Sequence, residues 1–186
     1  NGWTTSLVGT AGAGGRSVFA LDVSDPGSFG GTGSLLWEIS DLNSALDSEV
    51  RANIGHVLGK PVIVPMKNAD GSVSFRAIFG NGYESSSGKA VLFVVDMVAG
   101  STPTIRMIEA VESGTNLPAG SNGLGNIVVV DRWGGAGQNE QVRDGLADTV
   151  YAADKRGAVW KFDLRNDAAP TVPLFTTDTH VDASDR

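Results

Sequence analysis

The chain has 186 residues, with 14 Lys and Arg against 21 Asp and Glu for a net charge of −7, 25 glycines and no cysteine. Its basic residues are scattered singly rather than gathered into a stripe, which argues against nucleic acid as a partner, and no apolar run approaches the roughly 18 to 20 residues of a membrane-spanning helix. Disulfides carry no information about compartment here, and glycine at about twice its usual share points to many turns between many short strands.

The first segment, SLVGTAGAGGRSVFALD, ends at Asp22 and reads as two strands joined by a glycine turn. AGAGGRS (Ala11 to Ser17) imitates a dinucleotide-binding loop, but Ser17 stands at the last glycine position and a strand follows instead of a helix, so a hairpin turn is expected. This first unit covers about residues 3–40 and has three strands, starting with the second of the four seen in later units. The polypeptide is therefore expected to be an excerpt of a longer one. Helical spacing occurs only within Asp41 to Val57, through Ser44, Leu46 and Val50.

The second unit, about residues 59–111, reads as a complete four-strand meander. PVIVPM (Pro61 to Met66) leads through a Lys67 to Gly71 turn to VSFRAIFG, then KAVLFVVD (Lys89 to Asp96), then TIRMIEAV (Thr104 to Val111). Asp70-Gly71 supplies the residue types of a tight hairpin, since glycine takes positive φ without a Cβ clash. GNGYESSSGKA (Gly80 to Ala90) resembles a phosphate loop superficially. Tyr83 stands where its first glycine belongs and Ala90 where Ser or Thr would meet magnesium, so a hairpin loop is expected.

The third unit, about residues 126–176, repeats the plan with NIVVVD (Asn126 to Asp131), a long insertion, TVYAAD, AVWKFDL and TVPLFT from Thr171. Asp22, Asp96 and Asp163 close the three copies at spacings of 74 and 67 residues. A unit that recurs must stack on its neighbours to bury its apolar faces. Four-stranded antiparallel units in series are propeller blades, so the expected fold is all-β, a partial β-propeller with about three blades covered and the first incomplete. Trp37 and Trp160 lie in strand patterns and are assigned to the core between blades. Trp133 lies in the glycine-rich insertion, where an exposed aromatic would suit a partner contact, although a plain structural role is the preferred reading.

His56 and His180 are far apart and have no spaced partner, so neither a zinc cluster nor a serine triad is indicated, and no enzymatic activity is expected. The chemically loaded segment is Val128 to Asp148. Calcium takes six to eight oxygens from a loop that wraps around it, with a glycine at the sharp bend. Asp144 and Asp148, separated by Gly145-Leu146-Ala147, form the second half of such a loop, and Asp131 can open it. The residues alone leave this reading level with the plainer one, in which Asp144-Gly145 is a hairpin turn and Asp148 a strand start.

Taken together, GRSVFALDVSDP (Gly15 to Pro26), GKPVIVPMKNADG with AIFGNGYESSSGKAVLFVVD (Gly59 to Asp96), and DGLADTVYAADKRGAVWKFDL (Asp144 to Leu164) resemble the C-terminal propeller of the type IV pilus tip-associated adhesin and biogenesis factors, the PilY or PilC family. The resemblance covers nearly the whole chain. It implies a protein exported through the periplasm to the outer membrane and the pilus tip, where it supports pilus extension against retraction, attachment and twitching motility. Implied partners are minor pilins or a tip complex, and a host or surface receptor. A calcium loop in one blade is also implied, onto which Asp131, Asp144 and Asp148 map as first, pre-glycine and last ligands. The chain departs from the pattern between them, with RWGGAGQNEQVR inserted and Val142 two residues before Asp144. Asn139 or Glu140 would have to supply the lost oxygen, giving Asp131, Asn139, Asp144 and Asp148 as the metal set. The competing readings are a quinone-dependent dehydrogenase-like propeller and a metal-free scaffold propeller of an outer-membrane assembly machine.

Overall fold

A computed structural model describes residues 3–27, 29–31, 33–98, 102–111, 120–132, 143–166 and 168–177. Their regular structure is almost entirely extended. A first antiparallel sheet contains β1 (Ser6–Thr10), β2 (Ser17–Asp22) and β3 (Leu35–Ser40). The helix α1 (Ser48–Asn53) follows, inside the window that helical spacing marked, and buries Val50. The second sheet is β4 (Val62–Lys67), β5 (Val73–Gly80), β6 (Val91–Asp96) and β7 (Ile105–Glu109) in order. The third is β8 (Leu124–Val130), β9 (Thr149–Asp154), β10 (Ala158–Asp163) and β11 (Phe175–Thr176), again in order.

The aspartates that mark the repeat also mark its register. Asp22, Asp96 and Asp163 stand opposite Ser6, Arg76 and Thr149 on the preceding strands. Two details differ from the sequence reading. The first strand of the third sheet starts at Leu124, two residues early, with an irregularity between Leu124 and Ile127. Its last strand is confined to Phe175 and Thr176 rather than running from Thr171.

The middle sheet is covered on both faces, which is why β6 reads as a continuous apolar run instead of alternating. Val91, Phe93 and Val95 join Ala77 and Phe79 in one core with Val18, Ala20, Trp37 and Ile39 of the first sheet. Leu92 and Val94 turn the other way, and join Met66, Ile78 and Ile108 in a second core with Val150, Ala152, Trp160 and Phe162 of the third. Each such side chain contributes about 1.5–3 kcal/mol of burial relative to exposure. Within the first core the Phe79 and Phe93 rings stack with centroids 5.2 Å apart. Trp37, at 1% exposure, donates its indole N–H to the Asp96 carbonyl at 3.1 Å and so ties the first sheet to the second.

The β5–β6 connection is more than the hairpin loop expected of it. Asn81 is fully buried there, and its side chain serves four backbone groups: Nδ2 donates to the carbonyls of Asn53 and Lys89, and Oδ1 accepts from the amides of Val91 and Leu124. One side chain thus joins the end of α1, the start of β6 and the start of β8. Gly82 takes φ +75° beside His56, whose backbone exchanges hydrogen bonds with Tyr83. His56 also places Nδ1 3.2 Å from the Gly12 carbonyl, a position at the seam between units.

Candidate functional site

The site is the connection between β8 and β9, residues 131–148. β8 delivers Asp131 at its end, and Asp148 leads directly into β9. Both Asp131 oxygens face back across the loop, Oδ2 accepting the Gly145 amide at 2.8 Å and Oδ1 the Asp144 amide at 3.3 Å. Gly145 at φ +83° makes the bend, a backbone conformation in which a Cβ would be strained. Asp144 Oδ1 accepts the Leu146 amide at 3.0 Å, the local turn that aspartate favours. The described end of the connection therefore turns at Asp144-Gly145, and that turn brings two of the expected ligands, Asp131 and Asp144, together.

Asp148 points inward and is only 5% exposed. Its Oδ2 accepts the Arg132 amide at 3.0 Å and its Oδ1 the Thr149 hydroxyl at 2.6 Å. The loop is anchored to the middle sheet where the Ala147 amide donates to the Pro65 carbonyl at 2.9 Å. On the other side the Arg132 guanidinium donates to the Tyr151 hydroxyl at 3.0 Å. Arg132, Thr149 and Pro65 carry no motif, and nothing in the sequence singled them out.

Positive charge stands near these carboxylates. Arg165 grips Asp163 in a fork, Nε to Oδ1 at 2.9 Å and one terminal nitrogen to Oδ2 at 2.6 Å. That hydrogen bonding holds the Asp163 carboxyl below its ordinary value and raises the Arg165 guanidinium, to which Asp148 adds a smaller attraction. The two-residue spacing in FDLR, just past a strand, was the available signal for this pair.

Hard carboxylate oxygens suit a calcium ion in type, and metal-bound carboxylates are commonly oriented by further hydrogen bonds of the kind Asp131 and Asp144 make. In number they fall short. Among the described residues no three His, Cys, Asp or Glu side chains stand where they would share a metal ion. Asn139, Glu140 and Trp133 lie outside the described residues.

A second polar centre lies at the equivalent turn end of β9. The Asp154 carboxylate is buried and accepts from the amides of Arg156 and Ala158, from Asn122 Nδ2 and from Trp160 Nε1. Every acceptor direction is used on neighbouring protein groups, which makes it a structural brace. Trp160, like Trp37, is core.

The family described as the PilY1 beta-propeller domain matches residues 1–180. The chain belongs to that family. It is 45% identical over 167 residues to a type IV pilus biogenesis factor PilY1 homolog of Xylella fastidiosa, covering 87% of this chain and 10% of the relative. It is 35% identical over 173 residues to type IV pilus biogenesis factor PilY1 of Pseudomonas aeruginosa strain UCBPP-PA14, covering 91% and 12%. The crystal structure of the Pseudomonas aeruginosa PilY1 C-terminal domain superposes with a TM-score of 0.62 at 34% identity, over 87% of this chain and 27% of that one. The three sheets are thus blades of a β-propeller, as the repeat predicted. The chain spans about a tenth of the length of these curated relatives. No described helix is long and apolar enough to cross a membrane.

Proposed function

We propose that the chain is part of the propeller of a type IV pilus biogenesis factor that supports pilus extension, surface attachment and twitching motility. The observation that carries this reading is family membership across residues 1–180, together with 45% identity to a pilus biogenesis factor over 87% of the chain. The role is one of assembly and contact rather than catalysis. The protein acts at the bacterial surface and pilus tip, reached through the periplasm and outer membrane, with minor pilins or a tip complex as assembly partners and a host or abiotic surface as the attachment target.

Deleting the gene is expected to remove surface pili and twitching, and complementation to restore both. If pili and motility persist in the deletion strain, the biogenesis role is wrong. Pili restored by complementation without surface binding would separate the adhesive part from the assembly part. Immunogold labelling checks the tip location, and reconstitution with quinone, calcium and an alcohol or sugar checks the competing enzymatic reading.

Calcium regulation is the finer part of the proposal. Bound at residues 131–148, the ion would neutralise the carboxylates crowded there. Asp131 and Asp144 would present oxygens already oriented by the Gly145 and Leu146 amides, and Asp148 would close the loop against β9. Asn139 is the residue expected to complete the set. Calorimetric titration of the full propeller is expected to give saturable calcium binding that the Asp144→Ala, Asp148→Ala double variant loses. A parent that binds no calcium would leave a metal-free interaction propeller, its loop closed by the hydrogen bonds of Asp131 and Asp148.

A further inference from the structure

A glycine that follows aspartate or asparagine marks a step at which a peptide can rearrange by itself, because a nitrogen without a bulky neighbour can reach the preceding side-chain carbonyl carbon. Four such steps lie among the described residues: Asp70-Gly71, Asn81-Gly82, Asn122-Gly123 and Asp144-Gly145. Asn81 and Asn122 are 0% and 2% exposed and their amide groups are pinned by hydrogen bonds, so both are closed to the water that the rearrangement needs.

The two aspartate steps are exposed and form a matched pair. Gly71 and Gly145 take φ +85° and +83°. Asp70 Oδ1 accepts the Ser72 amide at 2.9 Å and Asp144 Oδ1 the Leu146 amide at 3.0 Å, the same local turn, which folds each side chain back over the glycine peptide unit. They differ in where the glycine N–H goes. Gly71 donates to the Asn68 carbonyl at 3.0 Å, an acceptor that takes up no proton. Gly145 donates to the Asp131 carboxylate at 2.8 Å, a base in direct contact with the hydrogen that must leave. Ser72 sets the pair further apart. Its hydroxyl donates to Asp70 Oδ1 at 2.6 Å, and this bond, with that of its amide, holds the Asp70 carboxyl below its ordinary value and away from the acid form that reacts.

We propose that Asp144-Gly145 is a self-modification site, at which Asp131 acts as the base that converts Asp144 into a β-linked isoaspartate. The Gly145 nitrogen attacks Cγ of the Asp144 carboxylic acid and forms the new N–C bond. Asp131 Oδ2 takes the N–H proton and hands it to the departing hydroxyl, which leaves as water. Water then opens the cyclic imide at either carbonyl, and opening at the backbone carbonyl leaves the chain running through the former side chain. Nothing is oxidised or reduced, and the mass of the chain is unchanged. The product has an extra backbone carbon at the bend, which undoes the alignment of Asp131 with the Asp144 and Gly145 amides. The inference rests on the geometry of this turn and holds whether or not calcium binds there.

Ageing the full-length protein at neutral pH with a chelator present tests it, with isoaspartate at Asp144 and at Asp70 quantified by peptide mass spectrometry. Isoaspartate is expected to accumulate at Asp144 at least about tenfold faster than at Asp70. Equal rates would show that the acceptor of the glycine N–H is immaterial, and the proposal would fall. Asp131→Asn keeps an oxygen for the Gly145 amide but removes the base. Its rate at Asp144, taken relative to Asp70 in the same molecules so that any general loosening of the fold cancels, is expected to drop at least about tenfold. An unchanged ratio would overturn the proposal. A raised ratio would do so as well, since Asp131 would then restrain the turn rather than drive its chemistry.

Discussion

At the scale of single residues, two buried polar side chains brace the turns between strands. Asn81 just after the second strand of its blade, and Asp154 at the last residue of the second strand of the next, each tie down the start of the third strand, through the amides of Val91 and Ala158. An amide group at Asn81 supplies both donors and acceptors, which a carboxylate would not. Asn81→Ala leaves four backbone groups without that partner, three of them in buried bonds that each cost about 1–3 kcal/mol when unsatisfied, and a net loss of at least about 3 kcal/mol is expected by chemical denaturation. The Asp163–Arg165 pair gives a pH signature. Because the folded carboxyl lies below its ordinary value of 3.8, the pair's contribution is complete above that pH and is lost as pH falls through the lower folded value. The stability difference between parent and Asp163→Asn is therefore expected to be constant near neutrality and to shrink on acidification below about pH 4, measured by unfolding at a series of pH values.

At the scale of elements, blades approach each other most closely where glycine permits it. A Cβ on Gly80, at the end of β5, would run into the carbonyl oxygens of Leu124 and Gly125 on β8. Gly80→Ala is accordingly expected to cost about 1–3 kcal/mol by forcing the second and third blades apart, read as a lowered denaturation midpoint. Gly157 turns β9 into β10 at φ +91°. Gly157→Val is expected to destabilise that hairpin by about 1–2 kcal/mol, and unchanged melting would argue against the turn. The strands themselves were legible because their apolar runs and glycine turns are local. The closing strand β11 was placed too early because TVPLFT is uniformly compatible with extension, and pairing with β10 decides which part of it is used.

At the scale of the whole molecule, two blade faces have no described neighbour. Leu7 and Leu35 are exposed on the first blade, and Val128 and Phe175 on the third. Apolar faces of this kind drive association when left open. Residues 1–186 produced alone are expected to self-associate, detected by light scattering, while the full-length protein stays monodisperse. Monodisperse behaviour of the isolated stretch would mean that these faces tolerate water. The candidate calcium loop belongs to this scale as well, since one of its anchors is the Pro65 carbonyl of the neighbouring blade, beside those it makes to Thr149 and Tyr151 of its own blade.

The sequence by itself determined the all-β class, the four-stranded unit and its repetition, the acidic loop and the family, because periodicity, turn residues and motif spacing are properties of the chain read in order. Tertiary structure alone decided that Asn81 bridges α1, β6 and β8, that Asp148 is buried against Thr149 and the Arg132 amide, and that Phe75 lies bare. Those outcomes depend on which groups from distant parts of the chain meet across a blade seam. Hydrogen-bond partners 28 and 43 residues apart, as for Asn81, leave no local trace in sequence.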